Sequence, residues 1–154
     1  MKFSILFASV SLLLSARSFA APDIFNGVWQ GKGTYVLRGT ISQCSDFNLI
    51  FTTTEKTIEF TSGYRVCDNH SEKFYKVGMD FRDGKILFQN EVVGTYTDNK
   101  VDVHYTMPDG NSHRNWRMSM RREGNNLVYE ESRTMDGENT PMISFAGVLT
   151  LQKD

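Results

Sequence analysis

The residues of this chain best equipped for chemistry are Arg114, Arg133 and Glu131, with Tyr64, Tyr75 and Tyr105 as hydroxyl partners. Guanidinium groups hold a carboxylate through paired, charge-assisted hydrogen bonds. Glu131 stands two residues from Arg133, so on a strand the two share a face and can pair. Two arginines against one carboxylate leave positive charge over, which would attract the acidic head of an amphipathic molecule. Met79, Phe88 and Trp116 would take its apolar body. The competing reading puts these polar groups at a solvated rim, with the apolar residues as plain core. Catalysis has less to stand on. There is no Gly-x-Ser-x-Gly elbow, no Cys/His pairing and no metal-ligand spacing. An acid/base role for Glu131 beside Arg114 is the enzymatic reading the residues allow. No catalytic residue, metal or cofactor is expected, and His70, His104 and His113 read as loop or surface residues.

The elements that would position these residues are strands. Turn signals recur about every ten residues: Asp83-Gly84, Asp98-Asn99, Pro108 to Asn111, Glu123 to Asn126, Asp136-Gly137. Apolar and polar residues alternate between them, the pattern of an antiparallel meander. The strands read as 27–37, 45–54, 57–67, 72–82, 85–97, 100–107, 112–122, 127–135 and 142–152. The fold class is all-β, an antiparallel up-and-down barrel of about nine or ten strands. Centring turns on Asp83-Gly84, Asp98-Asn99, Asp109-Gly110, Glu123-Gly124 and the segment 68–71 threads a register. It sets Met79 opposite Phe88, Tyr96 opposite Val101, Tyr105 opposite Arg114, Arg114 opposite Arg133, and Tyr64 opposite Tyr75. Asn90 joins the inward face.

Residues 1–20 read as a cleaved signal peptide: Met1-Lys2, an apolar stretch from Phe3 to Leu14, then Ser18-Phe19-Ala20. Residues 21–154 then form a single barrel domain, periplasmic or secreted. The chain has 17 basic and 18 acidic residues. Lys2 and Arg17 leave with the leader, so 15 face 18 and the net charge is about −3. That argues against nucleic acid as a partner. No later segment is long and apolar enough for stable membrane insertion as a helix, and a monomer is expected. A two-residue turn at Glu55-Lys56 places Cys44 opposite Cys67, and in an exported chain that pair forms a disulfide.

The opening Phe25-Asn26-Gly27-Val28-Trp29 resembles the Phe-x-Gly-x-Trp of fatty-acid-binding proteins and the Gly-x-Trp of lipocalins. Its continuation Gln30-Gly31-Lys32-Gly33 is similar to the opening of nitrobindin-like barrels. The resemblance implies a calycin-type ligand-binding barrel with Trp29 plugging the closed end. Residues 35–46 are too few for the helix pair of fatty-acid-binding proteins, and the last strands carry no histidine for a haem. The function expected is an exported barrel that binds a hydrophobic or amphipathic, anionic small molecule inside. The alternative is an envelope or inhibitor protein that meets a macromolecule through its outer face or loops.

Overall fold

The computed structural model describes residues 23–110 and 112–152; the expected signal peptide lies outside them. A short 3₁₀ turn, Asp23–Phe25, leads into eleven strands. They are β1 (Gly27–Leu37), β2 (Thr40–Thr53), β3 (Thr57–Cys67), β4 (His70–Phe74), β5 (Val77–Arg82) and β6 (Lys85–Phe88). Then come β7 (Glu91–Tyr96), β8 (Lys100–Asp109), β9 (Ser112–Glu123), β10 (Asn126–Met135) and β11 (Ile143–Leu151). Every pairing is antiparallel, and all but β1 with β11 and β3 with β5 join chain neighbours. Since β2 also pairs with β3, the sheet closes on itself. β4 and β5 lie on successive lengths of β3, at Gly63–Cys67 and Thr57–Phe60, so the ring has ten positions.

Three expected registers hold at their turns: Thr53 faces Ile58, Arg82 faces Lys85 and Tyr96 faces Val101. Three differ by two residues. Asp109 faces Ser112, Glu123 faces Asn126, and Tyr64 faces Lys73 rather than Tyr75. At the second of these the reason is local. A two-residue hairpin of the II′ kind needs a left-handed first central residue, so Gly124 (φ 61°) takes that place rather than following Glu123 into it. A displacement of two keeps each side chain on its face and changes its height. Arg114 therefore faces Met107 and Met135, and Arg133 faces Trp116.

The segment read as one strand, 85–97, is a hairpin. Gln89 and Asn90 both have positive φ, 53° and 69°, and turn the chain back. Asn90 is thus an exposed turn residue and not part of the inward face, and Met79–Phe88 does not form a pair.

The interior is graded along its axis. At one end Trp29, Leu49, Val101, Met120, Leu127 and Leu149 are all buried. Trp29 is 0% exposed, donates from Nε1 to the Phe25 carbonyl at 2.8 Å, and is covered by the Arg122 guanidinium 5.1 Å from its ring. Gly27 (φ 120°) lets the chain bend past Leu151 there. In the middle, Phe47 meets Phe145, Tyr129 and Phe74 edge-on at 4.4, 5.2 and 6.2 Å. Edge-to-face rings fill space while keeping favourable quadrupole contacts. Above them, buried Tyr35, Arg65 and Glu131 sit beside rings that are only half-buried.

Candidate functional site

The upper half of the barrel holds a four-membered charge network that the alternation of β3 does not reveal. Pairing of β2 with β3 slips by one residue after Cys44 and back again near Phe51. Between these irregularities Phe47 faces Arg65 and Asn48 faces Tyr64. One extra residue inverts the phase of a strand. Arg65 consequently turns inward, 0% exposed, while Tyr64 points out and bonds Asp46 at 2.9 Å. The slip returns to zero at the cysteines, and Cys44 and Cys67 are bonded to each other inside the wall.

Arg65 pairs through Nη2 with Glu72 and through Nη1 with Glu131 at 3.4 Å. Arg133 bonds Glu131 Oε1 from Nε and Nη2 at 2.8 and 2.7 Å, and Glu72 Oε1 from Nη2 at 3.2 Å. Trp116 Nε1 donates to Glu131 Oε1 at 3.1 Å, and the Tyr129 hydroxyl to Oε2 at 3.2 Å. Rings enclose Arg65: its guanidinium carbon lies 4.6 Å from the centre of Tyr35, 5.2 Å from Phe74 and 5.4 Å from Phe145. His70 stacks flat on Tyr35 at 4.8 Å, with Nε2 3.7 Å from Glu72.

Charges this deep persist only when paired. Burial alone would raise the Glu72 carboxyl, but Arg65 and Arg133 outweigh it and hold the pKa below the usual value. Burial lowers Arg133, and Glu131 with Glu72 more than restore it, so its pKa is raised. Burial, then Glu131, pushes the Tyr129 hydroxyl well above its ordinary range. Two arginines and two glutamates sum to zero, so the expected surplus of positive charge does not exist here.

The wall around this network is incomplete. Among the described residues, β4 pairs only with β3, and β8 meets β7 only through Val101–Val103. Because β6 and β7 turn back at Gln89-Asn90, no described strand pairs with the outer edges of β4 and of residues 104–109, which border the gap so left. The half-buried rings of Phe74, Phe88, Tyr105 and Trp116 lie along it, Phe88 edge-on to Tyr105 at 5.0 Å. Tyr75, Val77 and Val92 are exposed.

Of the nine residues expected at a ligand site, Trp116, Glu131 and Arg133 come together, and Phe88 and Tyr105 flank the opening. Met79 is buried lower down, opposite Ile58. Arg114 is separate: it bonds Asp109 at 2.6 Å beside a rim cleft of about 570 Å³ with Arg38, Met135 and Met142. Tyr75, 81% exposed between β4 and β5, is not inward, and neither is Tyr64. His70 belongs to the network's edge rather than a loop. Arg65 and Glu72 were missed. Gly63, where the alternation of β3 breaks, was the available sign of a phase change. Glu72 follows, because it faces Arg65 across the β3–β4 turn.

No family model matches the chain, and no curated protein matches it in sequence. Its fold is similar to that of the S-type phycobiliprotein lyase CpeS from Guillardia theta, at a TM-score of 0.57. The identity is 11%, over 85% of this chain and 92% of that one. At this identity the likeness speaks for the fold alone, a closed antiparallel barrel.

Proposed function

We propose that this protein is an exported barrel that binds a hydrophobic or amphipathic small molecule in the upper half of its interior, entering between β4 and β8. The observation that carries the reading is the gap in the wall beside half-buried inward rings. An inward side chain of a barrel meets solvent through an open end or a gap in the wall, and Phe74, Phe88, Tyr105 and Trp116 are half-buried on strands at or beside the gap. Concave apolar surface with a few fixed polar groups is the usual make-up of a small-molecule site. The leader-like N-terminus and the Cys44–Cys67 disulfide support export.

Titration with the neutral apolar fluorophore N-phenyl-1-naphthylamine tests the interior. Wild type should saturate at one probe per chain, and Tyr105→Ala and Trp116→Ala should each weaken it by about tenfold, near 1.4 kcal/mol. Unchanged affinity in both variants would sink the reading. Intact mass of the protein from its host's extracytoplasmic fraction should correspond to a chain beginning at Ala21. Native mass spectrometry of that material would identify the co-purifying ligand.

A second reading, a macromolecular partner on the outer face, is favoured by exposed Tyr75, Val77 and Val92. A groove of about 680 Å³ that includes Thr34, His104, Ser132 and Ser144 adds to it.

A further inference from the structure

The charge network narrows the chemistry of the ligand's polar end; this step rests on the interior-binding reading above. Both oxygens of Glu131 are occupied, by Trp116 and Arg133 on one side and by Arg65 and Tyr129 on the other. Arg65 is fully buried, with one Nη on each glutamate. What remains within reach is the outer edge. Arg133 and Glu72 keep 18% and 25% of their side chains exposed. Arg133 spends Nε and Nη2 on the glutamates, and among the described residues Nη1 has no partner. Glu72 accepts once at each oxygen and has lone pairs left over. The accessible edge of the network therefore presents a donor and an acceptor side by side, bridged by the 3.2 Å contact of Nη2 with Oε1.

We propose that the ligand's polar end is an uncharged group carrying both a hydrogen-bond acceptor and a donor, such as a carboxamide, lying across Arg133 and Glu72. A carboxylate placed there gains Arg133 but stands against Glu72 at similar range, and the two terms nearly cancel. An ammonium meets the mirror problem. Freeing either protein charge for a charged ligand breaks a pair that burial makes costly to break. An amide accepts from Nη1, donates to the carboxylate and asks for no change in charge.

Displacement of bound N-phenyl-1-naphthylamine by decanamide, decanoate and decylamine at pH 7 separates these cases. Decanamide should displace the probe at a concentration at least tenfold lower than either charged chain. Glu72→Gln leaves the network with one surplus positive charge and should favour decanoate by about tenfold relative to wild type. Arg133→Gln does the reverse and should favour decylamine. Decanoate competing as well as decanamide in wild type, or an order of preference unmoved in both variants, overturns the inference. Equal displacement by all three chains overturns it while interior binding stands. A probe that never binds wild type removes the interior-binding reading and this inference with it.

Discussion

Trp29 and Trp116 mark the two halves of the barrel. Each donates its indole N–H, Trp29 to the Phe25 carbonyl at 2.8 Å and Trp116 to Glu131 at 3.1 Å. Trp29 is fully buried and capped by Arg122, whereas Trp116 is half-buried beside charges and an open wall. The same side chain thus closes one end and lines an accessible surface at the other. The difference lies in neighbours. Continuous pairing surrounds Trp29, while the short β6–β7 hairpin leaves the level of Trp116 without two of its strands. Stability and accessibility are separated along one axis.

The largest effect should come from testing the two tryptophans against each other. Trp29→Ala should cost about 3–5 kcal/mol in chemical denaturation, the range for a large buried aromatic. Trp116→Ala should cost about half as much, because part of its surface is already wet. Equal losses would erase the distinction between the ends.

Next comes the disulfide, which ties β2 to β3 in the upper half. Cys44→Ser with Cys67→Ser should lower stability by about 3 kcal/mol, the chain-entropy value for a loop of this size, 23 residues apart in sequence. Non-reducing peptide mapping should give a single 44–67 linked species. A loss under about 1 kcal/mol would mean that the network and the sheet hold the upper half without it.

Acid should loosen the charged half first. The Glu72 carboxyl sits below its ordinary pKa in the folded protein. The folded state therefore binds that proton less readily than the unfolded chain. Its contribution is fully present above the ordinary glutamate range and is lost as pH falls through the lowered value. Arg65 and Arg133 pair with it, and His70 lies beside it. The melting temperature of wild type should drop more steeply from pH 5 to 3 than that of Glu72→Gln. Parallel curves would assign the acid limb to other carboxylates.

The smallest effect should be at Tyr75. Exposed as it is, Tyr75→Ser should change stability by no more than about 0.5 kcal/mol. Probe affinity should stay within about twofold of wild type, twofold being about 0.4 kcal/mol. A large loss of probe binding would extend the ligand surface onto the outer lip.

Local chemistry was enough to read the class of fold, an antiparallel barrel of about nine or ten strands, together with the Cys44–Cys67 pairing and the shared face of Glu131 and Arg133. Period-two alternation records which residues share a face, and turn residues record where the chain reverses. Tertiary structure decided height and phase. Tyr105 meets Trp116 rather than Arg114 because a register displaced by two leaves every face unchanged and so leaves no trace in the alternation. Gln89-Asn90 carries no glycine or proline, so its reversal, and with it the opening in the wall, was hidden. The phase change beside Gly63 turned Arg65 inward and Tyr64 outward. Only the closed barrel could bring Arg65 and Glu72 of one hairpin against Glu131 and Arg133 of another strand. That balanced the charge which the sequence had left in surplus, because ion pairs between distant strands have no period to record them.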